Sequence, residues 1–131
     1  MTGGGSVFTD GMRVTHGFQI RCDYNDDRQN LEINWDGGQN FHLLDMTFAQ
    51  CSDDTRIGPE NPQSRFDTYY GVGTGRFNGV DGFTIDFTFR DAGEPGTSDT
   101  ARILIKDPNG RTILAVEKAP LEKGNHQAHE K

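Results

Sequence analysis

Carboxylates gathered in short, turn-like stretches are the side chains of this sequence best suited to chemistry. Asp91, Glu94 and Asp99 lie in and around a turn carrying Gly93, Pro95 and Gly96, Asp23, Asn25, Asp26 and Asp27 form a second cluster, and Asp53 with Asp54 a thinner third. A hard cation such as calcium takes about six to eight oxygen ligands. Carboxylates beside backbone carbonyls freed by a turn supply such oxygens, so calcium is expected first at Asp91, Glu94 and Asp99 and second at Asp23, Asp26 and Asp27. The spacing is not that of an EF-hand, whose ligands alternate through a longer loop. The plainer alternative is a set of solvated turns in which Asp accepts backbone N–H bonds.

The other reactive residue types are sparse. Of four histidines, His126 and His129 lie three apart, while nothing in the sequence brings His16 or His42 to them. Zinc needs three or four convergent ligands. His16 alternates with Val14, Phe18 and Ile20, which predicts a hydrogen-bonded core imidazole. No Gly-x-Ser-x-Gly elbow, His-Glu-x-x-His helix or P-loop is present, so catalysis is not expected. Gly71, Gly73 and Gly75 are followed by no helix that could aim its N-terminus at an anion. Instead they strip one face of a strand of side chains, making room for an aromatic ring or a close backbone. Cys22 and Cys51 form a single even pair beside loop-like residues, which predicts one disulfide and an oxidising compartment.

The elements that must position these residues are strands. Phe83, Ile85, Phe87 and Phe89 alternate with Thr84, Asp86, Thr88 and Arg90, the period of a half-buried strand. The segments Val14 to Cys22, Leu31 to Trp35, Asn40 to Gln50, Asp67 to Phe77, Asp99 to Lys106 and Arg111 to Lys118 read likewise, with an edge strand at Ser6 to Thr9. Between them stand Asp36-Gly37-Gly38, Asn78-Gly79, Asp81-Gly82 and Asp107-Pro108-Asn109-Gly110, residues that turns require. The expected fold is all-β: an antiparallel two-sheet β-sandwich of about eight strands. Its core is expected to hold Phe18, Ile20, Ile33, Trp35, Phe83, Ile85, Phe87 and Phe89. One domain spans 1–131, with 1–5 a flexible Gly-rich lead and 120–131 a mobile tail.

Composition narrows the function further. With 13 Lys+Arg against 20 Asp+Glu the chain carries −7, which opposes attraction to nucleic acid or anionic membrane. No apolar run approaches the roughly 20 residues of a spanning helix. Met1-Thr2-Gly3-Gly4 lacks the basic start and apolar stretch of a signal peptide, which points to a mature or excised domain with an added Met1.

The segments Thr2 to Val7, Tyr70 to Gly79, Asp91-Ala92-Gly93-Glu94-Pro95-Gly96-Thr97-Ser98-Asp99 and Gly124-Asn125-His126-Gln127-Ala128-His129 resemble the post-COAP-1 domain. That family is an all-β module at the C-terminal ends of bacterial secreted and cell-surface proteins. The resemblance implies an extracellular module and carries no catalytic pattern. The Cys pair and the acidic Ser52 to Glu60 stretch depart from the family's pattern. The function expected is a non-catalytic extracellular structural or accessory module that binds calcium, with other surface proteins or its own copies as partners. One alternative is a self-assembling subunit that adds its N-terminal strand to a neighbour's sheet. Another is a glycan-binding or adhesin domain using Tyr24, Tyr69, Tyr70 or Trp35.

Overall fold

A computed structural model describes residues 1–52, 67–91 and 99–127. They form nine strands: β1 (Thr2–Thr9), β2 (Met12–Gln19), β3 (Asn30–Trp35), β4 (Gln39–Ser52), β5 (Thr68–Phe77), β6 (Val80–Arg90), β7 (Thr100–Lys106), β8 (Thr112–Pro120) and β9 (Lys123–Gln127). Every neighbouring pair is antiparallel, and the sheet order is β8-β7-β6-β5-β4-β3-β2-β1-β9. The fold is all-β, but the strands belong to one curled sheet where two facing sheets were expected.

The sequence of short hairpins explains this. Asp10, Asp36 and Asn78 each take a positive φ, near 50°, at the turns that join β1 to β2, β3 to β4 and β5 to β6. Asn and Asp tolerate that conformation better than other side chains. Each hairpin lays the next strand beside the last, so no strand leaves to start a second sheet.

Curling then lets the sheet cover its own concave face. Its two margins meet at residues 121–122, where the Leu121 N–H donates to the Asp99 carbonyl (3.0 Å) and the Glu122 N–H to the Ser6 carbonyl (2.7 Å). Thr9 Oγ1 also donates to the Ala115 carbonyl across the gap, at 3.0 Å. The Gly-rich lead is therefore a strand and not a loose segment, since β1 pairs with β2 on one side and β9 on the other. A Cβ at Gly3 or Gly5 would strike the carbonyl of Asn125 or Lys123, so only bare backbone fits between those neighbours. The first part of the expected C-terminal tail forms β9.

Inside lies one apolar core that includes all eight residues expected there, among them Phe87 and Phe89 with no exposed surface. The glycine stripe on β5 has the packing role read from its spacing. A Cβ at Gly71 would fall 2.5 Å from Phe87 Cζ, and one at Gly75 would strike the Phe41 ring. The β4 partner strand is bulged at Leu43/Asp45 and Met46/Phe48, which sharpens the local twist and helps the sheet bend.

Candidate functional site

The two ends of the curled sheet differ. Tight turns close one end, at 10–11, 36–38, 78–79 and 107–111. The long connections 20–29, 53–66 and 92–98 leave and re-enter the strands at the other. All three acidic clusters thus belong to segments that join strands at a single end, although they are far apart in sequence.

That end is built on a row of buried carboxylates. The register Thr68↔Arg90↔Thr100 places Asp67, Asp91 and Asp99 one residue further out, side by side on three neighbouring strand ends. They stay in phase with the inward residues Tyr69, Phe89 and Ala101, and their exposure is 1%, 5% and 0%. The Asp91 N–H donates to the Asp67 carbonyl at 2.8 Å, Thr68 Oγ1 donates to Asp67 Oδ1 at 2.7 Å, and the His126 N–H donates to Asp99 Oδ2 at 2.7 Å. Asp67 was not singled out from the sequence, although its position two residues before Tyr69 was the signal that it faces inward. Glu94, the third expected ligand, lies outside the described residues, as do Asp53 and Asp54.

The second cluster is committed to its own loop. Asp23 Oδ1 accepts the Asn25 N–H, and Asp26 accepts from the Arg28 backbone and guanidinium at 2.9 to 3.0 Å. These bonds to Arg28, helped by the charge of Arg21 3.5 Å away, lower the Asp26 pKa to about 2. Among the described residues no three His, Cys, Asp or Glu side chains converge as a metal site.

Several contacts hold this end rigid. Cys22 is bonded to Cys51, which ties the 20–29 loop to the end of β4. The Tyr69 hydroxyl donates to the Arg21 carbonyl at 2.6 Å, and burial pushes that phenol's pKa upward. The Met1 ammonium donates to the Ile20 carbonyl at 2.7 Å. Its pKa is lowered to about 6 by burial and by the charge of Arg21.

Deeper, His16 and His126 meet with their Nε2 atoms 2.7 Å apart. His126 Nδ1 lies 3.0 Å from the Arg90 carbonyl, which can only accept, so Nδ1 carries the proton and Nε2 accepts. His16 must then donate through Nε2, leaving its Nδ1 lone pair buried with no partner. Phe18 and Phe89 stack on His16 at 6.0 and 5.1 Å. Burial, reinforced by the neighbouring imidazole, lowers the His16 pKa to about 3. Burial lowers that of His126 to about 4, against the opposing effect of its bond to Arg90. His16 is a hydrogen-bonded core imidazole as its alternation indicated, and its partner is the residue the sequence could not bring to it.

Of the aromatic residues considered for a glycan, Trp35 and Tyr69 are buried in the core, while Tyr24 is 46% exposed and Tyr70 half-buried on the convex face. No family model matches the chain, and neither a curated protein nor a solved structure does.

Proposed function

We propose that the chain is a non-catalytic extracellular structural or accessory module whose loop-bearing end binds calcium. The observation that carries this reading is the row of buried carboxylates Asp67, Asp91 and Asp99 on neighbouring strand ends, at the end of the sheet where the strands flanking the acidic connections stop and start. Carboxylates held together on a chain of −7 repel one another, and a divalent cation removes that repulsion. The disulfide suits an oxidising compartment outside the cytoplasm. Assembly by donating β1 to a neighbour would first require breaking its pairing with β2 and β9, which makes that alternative the more costly one.

Thermal unfolding in EDTA and in millimolar calcium tests the proposal. A cation that binds only the fold stabilises it by about 2.7 kcal/mol at a hundredfold excess over Kd. The starting sequence should melt higher in calcium, Asp91→Asn should lose that gain, and Asp23→Asn with Asp27→Asn should keep it. An unchanged melting temperature in the starting sequence would sink the calcium reading.

A further inference from the structure

We propose that β9 is an acid-released strand that two copies of this chain exchange, each laying its β9 on the other's β1. The feature that points to it is the His16–His126 pair, which ties the outermost strand, β9, to β2 across β1. The positions of β1 paired with these two residues are Gly5 and Gly3, which carry no side chain to keep the rings apart.

Little else holds β9 in place. It has five residues and one neighbouring strand, and its buried side chain is His126. The His126 N–H donates to Asp99 Oδ2 at 2.7 Å, its Nδ1–H to the Arg90 carbonyl at 3.0 Å, and its Nε2 accepts from His16 at 2.7 Å. Protonating His126 would set two N–H groups against each other. Protonating His16 at Nδ1 would bury a cation whose new N–H has no acceptor. Neither proton fits while β9 is docked. Once β9 leaves, His126 is in water, the Nε2 edge of His16 is uncovered, and both rings titrate as ordinary imidazoles.

The other titratable groups on the elements packed here are Asp91 just after β6, Asp99 just before β7 and the Met1 ammonium before β1. The ammonium repels an imidazolium and the two carboxylates attract one. Burial nevertheless outweighs them, holding the imidazoles at about 3 and about 4. Acid also weakens the Asp99 carboxylate as the acceptor of the His126 N–H, which adds to release. Because β9 is outermost, its departure exposes both rings at less cost than unfolding the whole sheet.

Shape determines what covers the β1 edge afterwards. Gly5 faces Gly124 in register, and a Cβ at Gly124 would strike the Gly4 carbonyl. The edge therefore accepts a strand with glycine at that register, which Lys123–Gln127 of a second copy supplies. Its hinge is the two-residue crossing 121–122, and short hinges favour exchange of an element between copies.

Hydrogen exchange, corrected for intrinsic rates and run in EDTA to keep cations off the Asp99 row, follows the opening. Two imidazoles that gain protons only when β9 leaves raise the opening constant roughly a thousandfold from pH 7.5 to 5. Protection of Gly124–Gln127 should fall by that factor and stay below that of β6. His16→Gln keeps a donor for His126 Nε2 but does not titrate, and should reduce the fall to roughly thirtyfold. Light scattering should find dimers after the protein is held at pH 4 and returned to pH 7.5. Thr2→Cys with Gln127→Cys reports whose β9 lies on whose β1, because these two positions are register partners. Oxidised before the acid step, this variant should stay monomeric; oxidised after it, the dimers should be covalent on a non-reducing gel. The proposal is overturned if β9 is protected as strongly as β6, if His16→Gln keeps the full pH effect, if no dimer forms, or if every cross-link in the dimer lies within one chain.

Discussion

Lowering the pH from 7.5 to 5 should cost this fold about 4 kcal/mol through His16 and His126 alone. The sign follows from their lowered pKa values, about 3 and about 4. In the unfolded chain both imidazoles take up a proton near pH 6.5, whereas in the fold they stay neutral. The unfolded state therefore binds more protons below that point, and stability is full above it and falls as the pH falls. At pH 5 each imidazole contributes about 2 kcal/mol of loss, against a total stability of about 5 to 15 kcal/mol for an ordinary domain. The loss would level off only near pH 3. The Met1 ammonium acts in the same direction at higher pH, between about 8 and 6, so the imidazole effect must be read by difference. Urea unfolding of the starting sequence and of His16→Phe at pH 7.5, 6.5, 5.5 and 5 does this. The variant is expected to be weaker at pH 7.5, because the His126 Nε2 lone pair loses its donor, yet its pH slope should be about half as steep. Equal slopes in the two proteins would refute the neutral buried pair.

Two further predictions rest on the core and its staple. Replacing Cys22 and Cys51 together by Ala should cost between about 3 and 4 kcal/mol, from the chain entropy of a loop with a separation of 29 residues, read as a lower urea midpoint; a change within about 0.5 kcal/mol would mean that the loop is ordered without the bond. Gly73→Ala puts a methyl group 2.5 Å from the Asp45 carbonyl oxygen and 2.6 Å from Leu43 Cδ1, so overpacking should cost about 1 to 3 kcal/mol in the same assay. A neutral or stabilising result there would show that the β4 bulges can move aside.

Local patterns in the sequence carried the strands, because period-two alternation is a property of neighbouring residues. Phe83 to Phe89 alternate whatever lies across from them, and the Asn78-Gly79 turn follows from what those two residues tolerate. The disulfide was legible too, since two cysteines admit one intramolecular pairing. The number of sheets was not, since the same alternation serves two facing sheets or one that curls onto itself. The unbroken ladder from β8 to β9 decides that, and its β1–β9 pairing joins residues more than 110 positions apart. The Gly-rich opening looked loose because glycine signals freedom and close packing equally well, and only β9 lying against it distinguishes the two. Likewise the sequence showed acidic clusters but not that their strands end together. It showed His16 facing the core but not His126 beside it. Chain-local chemistry specifies which way each side chain faces; only the packing of distant strands determines which side chains meet.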